Sequence, residues 1–156
     1  IGCGCDGSVE IRRGGLRSYQ KTDTADRRSE VMDENGYITT YSYVDDRRII
    51  TETLPSGATR ITEKYLDGRL KSITGTGAIP QYYTYDVNPD GTQTTRIEIA
   101  SERSPRYREM TYDVAGRMIR EESPNSTGGT VVRTMHYDAF GLLIRQTEAG
   151  RADTLF

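Results

Sequence analysis

The chain has 156 residues, 34% hydrophobic and 28% charged, with 21 basic against 23 acidic side chains and a net charge of −2. That length suits one domain, and the hydrophobic share falls below the roughly 45 to 50% of an average globular chain, a reference that also counts glycine, which excludes a thick aliphatic core. Arg12-Arg13, Arg27-Arg28 and Arg47-Arg48 are isolated among acids, so no basic face is offered to nucleic acid, and no run of about 18 apolar residues is present to span a membrane.

Residues 1–30 form an N-terminal segment expected to be β and to contact a neighbouring chain. The sequence starts at Ile1 without a charged-then-apolar leader, which reads as a mature product or a piece of a longer protein. Its only cysteines, Cys3 and Cys5, are too few to staple a fold. A bond across one glycine would be strained, so free thiols or bonds to another chain are the easier states. Ile1-Gly2-Cys3 also resembles the end of a lipoprotein signal, in which Cys3 would carry the lipid.

Further along, turn signals punctuate short alternating stretches. Asp6-Gly7, Gly14-Gly15, Asn35-Gly36, Ser56-Gly57, Asp67-Gly68, Asp90-Gly91 and Gly128-Gly129 mark breaks. Between them the side chains alternate with period two: Tyr37, Thr39, Tyr41 and Tyr43 share a face, as do Ile97 and Ile99, and Val131, Met135 and Tyr137 oppose Val132, Thr134 and His136. Caps and apolar spacings of three or four are weak throughout. About a dozen strands and almost no helix are expected. Eleven Tyr and abundant Thr suit such pleated, half-wet surfaces.

A repeat runs through residues 31–148, followed by a tail at 149–156. Tyr112-Asp113-Val114-Ala115-Gly116-Arg117-Met118-Ile119 and Tyr137-Asp138-Ala139-Phe140-Gly141-Leu142-Leu143-Ile144 both read Tyr-Asp-x-x-Gly-x-apolar-Ile. Tyr65-Leu66-Asp67-Gly68-Arg69-Leu70 reads as a copy with a shortened turn, and Tyr85-Asp86-Val87-Asn88-Pro89-Asp90-Gly91 as one with a lengthened turn. Tyr43 to Ile49 and Met32 to Ile38 are eroded members. The period of about 20 to 27 residues holds two strands and two turns. In each copy Tyr ends a strand, Asp folds back onto backbone amides and Gly supplies a positive φ.

The stretch from Tyr112 to Ile119 and that from Tyr137 to Ile144 resemble the YD repeat, or RHS repeat, of bacterial RHS proteins and animal teneurins. The likeness covers most of 31–148. It implies an all-β chain of tandem antiparallel hairpins in an elongated or spiralling sheet, in many members closed into a hollow shell around a toxin or other cargo. The self-cleaving Asp-Pro-x-Gly-Leu type of stretch is not found in this sequence, and some five repeats are too few for a large shell. The expected function is therefore a structural building block of a secreted or cell-surface bacterial assembly. It would be either a self-associating fibre subunit or part of an RHS-type shell, its partners being copies of itself or the rest of the wall. The alternatives are a glycan- or receptor-binding module with a tyrosine face, or a fragment of a toxin-encapsulating shell.

No enzyme chemistry, cofactor or metal is expected. His136, the sole histidine, takes the slot that Thr111 fills in the neighbouring repeat, as a variable strand position would. The pairs Glu121-Glu122 and Asp45-Asp46 point to opposite faces of a strand, Cys3-x-Cys5 lacks a second ligand pair, and Asp86 to Asp90 lacks the acidic ladder of a calcium loop. Asn125-Ser126-Thr127 fits the N-glycosylation acceptor pattern in a turn-rich stretch.

Overall fold

A computed structural model describes residues 7–45 and 48–156; Cys3 and Cys5, and whatever bonds they form, lie outside the described residues. Those residues make fourteen strands and no helix, so the chain is all-β as its alternation implied. It divides into two compact units, Ile1–Ile79 and Pro80–Phe156.

The first unit holds β1 (Ser8–Arg13), β2 (Leu16–Thr22), β3 (Arg28–Met32), β4 (Ile38–Val44), β5 (Ile49–Thr53), β6 (Thr59–Lys64) and β7 (Leu70–Thr74). The second holds β8 (Gln81–Val87), β9 (Gln93–Ile99), β10 (Tyr107–Tyr112), β11 (Met118–Pro124), β12 (Thr130–Tyr137), β13 (Leu143–Glu148) and β14 (Thr154–Leu155). In each unit every strand pairs antiparallel with the next one along the chain, giving a plain meander. Two-strand steps need only short turns, which is what the Gly-rich punctuation supplies.

Within each unit only strands consecutive in the chain touch, so each is a single layer. The consequence is visible in burial: Met135 is the one buried hydrophobic side chain among the described residues. Strand register nevertheless separates two faces in the second unit. Tyr83, Tyr85, Ile97, Met110, Tyr112, Met135 and Tyr137 fall on one, while Thr84, Thr94, Arg96, Glu98, Glu109, Thr111, Glu122 and Thr134 fall on the other. With no interior to fill, stability must come from the ladder bonds and from cross-strand side-chain pairs, each contributing roughly 0.2–1 kcal/mol.

Candidate functional site: repeated turns and tyrosine clasps

One turn recurs eight times among the described residues. It spans five residues; the first donates its N–H to the carbonyl of the fifth, and the fourth donates its N–H to the carbonyl of the first. The turns open at Asp23, Asp33, Leu54, Tyr65, Asn88, Asp113, Asn125 and Asp138. This is the three-residue hairpin loop in which the fourth residue must take a left-handed conformation. Gly116 and Gly141 do so at φ +78° and +83°. Asp26 holds the same place at φ 56°, without the freedom of glycine.

The amide of the fifth residue in each turn is met by a side chain in one of two places. When the first residue is Asp, or is Asn125, its Oδ1 accepts from the third and fifth amides, as Asp113 does from Ala115 and Arg117, both at 2.9 Å. Asp23, Asp33, Asn125 and Asp138 repeat this pattern. When the first residue is Tyr65 or Asn88, the third residue acts instead: Asp67 accepts from Arg69 at 2.9 Å and Asp90 from Thr92 at 3.0 Å.

That alternative corrects the alignment of two copies. The turn at Tyr65 is not shortened; Tyr65 opens it, with Gly68 in the fourth place, whereas Tyr112 and Tyr137 precede theirs. The turn after Tyr85 is not lengthened either. Tyr85 and Asp86 lie within β8, Asp86 opposite Thr94, and the turn runs from Asn88 with Gly91 in the fourth place. The carboxylate moved by two residues, and the loop kept its length.

Beyond the backbone, the fifth residue carries an arginine at three turns. Nε of Arg27, Arg69 and Arg117 each donates to a turn carboxylate, of Asp23, Asp67 and Asp113 respectively, at 2.7 Å. The Arg27 side chain, and then its amide, hold the Asp23 carboxyl well below its usual 3.8, at about 2. Asp113 and Asp67 are lowered as well, chiefly by the backbone amides of Arg117 and Arg69 and then by their guanidiniums. Charge-assisted bonds to an ionised acceptor are the cause in each case.

The guanidiniums of Arg27 and Arg117 are each covered by a tyrosine from the following strand. The Arg27 guanidinium lies 4.7 Å from the ring centre of Tyr43, and that of Arg117 lies 5.1 Å from Tyr137. Each hydroxyl also donates, at 2.7 Å, to the carbonyl of the residue after the arginine, Arg28 or Met118. The tyrosine thus clasps the end of the preceding hairpin. At the turn opening at Asn88 the fifth residue is Thr92, and Tyr112, which faces Gln93, turns its hydroxyl to Met110 Sδ at 3.5 Å. Both clasped turns read Asp-x-x-x-Arg, which the sequence displays, but the Tyr that covers the arginine lies at a different spacing in each.

Acids pair across strands elsewhere. Tyr19 with Glu30, Tyr41 with Glu52 and Tyr107 with Glu122 each form a hydroxyl–carboxylate bond beneath a cation, from Lys21, Arg28 and Arg96. Glu121 and Glu122 face opposite ways, as adjacent strand residues must. Glu122 joins Tyr107 and Arg120, while Glu121 lies between Arg108 and Arg133 in a ladder that continues through Glu148 to Arg151. His136 stands opposite Arg145, whose Nη2 donates to its Nε2 at 3.3 Å. Asn125 opens an exposed turn. No group of three His, Cys, Asp or Glu side chains able to hold a metal occurs among the described residues.

Compared with protein-family models and with curated proteins, the sequence matches none.

Proposed function

We propose that the chain is a structural building block of a β assembly outside the cell or at its surface, built on YD-type hairpins and joined either to copies of itself or to the rest of a larger wall. The observation that carries this reading is the single-layer sheet of each unit, in which Met135 is the one buried hydrophobic side chain among the described residues. Such a sheet gains little from burial and much from every added strand, since a neighbour supplies ladder bonds and cross-strand pairs at once. Clasps from one hairpin to the last favour the same serial growth, each repeat stabilising its neighbour as in other quasi-one-dimensional arrays.

Negative-stain electron microscopy of the protein as isolated from its source tests the proposal. Filaments whose axial repeat matches one chain identify a self-associating subunit, and hollow particles identify the wall of a shell. Dispersed single chains overturn the structural reading in favour of a binding module, for which the tyrosine face and a glycan array would be the next experiment.

A further inference from the structure

Asn125 stands apart from every other residue that opens a turn. Its Oδ1 accepts three hydrogen bonds, from the Thr127 amide at 3.0 Å, the Thr127 hydroxyl at 2.9 Å and the Gly129 amide at 2.8 Å. Its Nδ2 donates to nothing among the described residues and the residue is exposed. The contrast is Asn88, whose Nδ2 is engaged by the hydroxyls of Thr92 and Thr94 and which is followed by Pro89. Asn35, the only other asparagine, precedes Gly36-Tyr37 and lacks the Ser or Thr that the acceptor pattern places two residues on.

We propose that Asn125 is an attachment site for an N-linked glycan. Three donors on the carboxamide oxygen stabilise the negative charge that gathers there as Nδ2 gives up a proton, so the geometry of the folded turn favours the nitrogen as nucleophile. In the transfer, Nδ2 forms a bond to C1 of the reducing-end sugar. The C1–O bond to the pyrophosphate of a polyprenyl-linked oligosaccharide breaks, the pyrophosphate leaves with the electron pair, and the Nδ2 proton passes to a base of the transferase.

The surroundings suit the product as well. Asn125 borders a groove of about 660 Å3 whose apolar lining comes from Ile99, Pro105, Tyr107 and Pro124. The loop that walls it is held in place: Ser104 is 4% exposed and its hydroxyl accepts from the Arg106 amide at 3.1 Å, and Glu98 accepts from the Arg103 amide. A first sugar bonded to Nδ2 would find the weakly polar ring surface it needs beside its point of attachment.

The inference rests on the extracellular placement within the function proposed above, and on nothing else in it. The test is transfer to the purified, folded chain from a dolichyl-pyrophosphate-linked oligosaccharide by an oligosaccharyltransferase that requires only Asn-x-Ser/Thr, read by intact mass and peptide mapping. One glycan mass at Asn125 is expected, abolished by Asn125→Gln and by Thr127→Ala. Asn125→Asp, which copies the acid at other turns, keeps the wild-type melting temperature and shows that loss of transfer is not loss of fold. A folded chain that stays unmodified overturns the proposal, above all if a peptide covering residues 119–131 is modified under the same conditions. Microscopy showing dispersed chains would leave this result untouched.

Discussion

Replacing Gly116 with Ala isolates the cost of the left-handed turn position. A Cβ built on Gly116 meets no heavy atom within 4 Å, so packing contributes nothing and only the backbone resists. An L-residue in that conformation costs roughly 1–2 kcal/mol, and the smaller conformational freedom of alanine in the unfolded chain returns about 0.4–1 kcal/mol. The net loss of about 1 kcal/mol lowers Tm by roughly 4–8 °C for a unit of this size. Gly116→Asn loses less, since asparagine tolerates that region. Gly75→Ala gives the opposite limit: its Cβ would sit 2.2 Å from the Thr59 carbonyl oxygen at φ +110°, so backbone must move and the loss exceeds that at Gly116. Thermal melts followed by circular dichroism rank the three. An unchanged Tm in Gly116→Ala, or equal losses in Ala and Asn, would refute the conformational account.

Tyr137→Phe removes the bond to the Met118 carbonyl while leaving the ring over Arg117, and should cost about 0.5–1.5 kcal/mol in urea titrations; Tyr112→Phe, which loses only a contact with Met110 Sδ, should be near neutral. The Asp23 carboxyl titrates lower in the folded chain, at about 2 against 3.8, so its contribution is complete above about pH 4 and disappears as pH falls toward about 2. Asp23→Asn keeps the Oδ1 acceptor but not the charge, and should flatten that part of the acid limb of stability. In the ion-pair ladder, Glu121→Ala takes the carboxylate from Arg108 and leaves Arg133 held by Glu148 alone, and should destabilise more than Arg108→Ala at an exposed end, with the difference shrinking at high salt.

The strands were legible because period-two alternation between Gly-marked breaks has no competing helical spacing, and β4 shows it plainly, with Thr39, Tyr41 and Tyr43 half-buried between exposed neighbours. The turn alignment was not. Tyr-Asp at Tyr85 mimics the pair at Tyr112, yet the Asn88 turn takes its carboxylate from Asp90, and a one-dimensional pattern does not distinguish an acid in the first place from one in the third. The clasps were hidden for a different reason. Tyr43 and Tyr137 act on turns one strand earlier, a relation that register creates and sequence spacing does not announce.

Four of the turns are followed by a single unpaired residue, at Ser29, Lys71, Ile119 and Ile144, where the register shifts by one. Elsewhere in a strand, losing one residue would turn every later side chain to the wrong side. At these four places the deletion only straightens a bulge: without Ile119, Arg120 still faces Thr111 and all that follows keeps its orientation. They are the positions at which the chain can change length by one residue in the course of evolution while its two faces remain in phase.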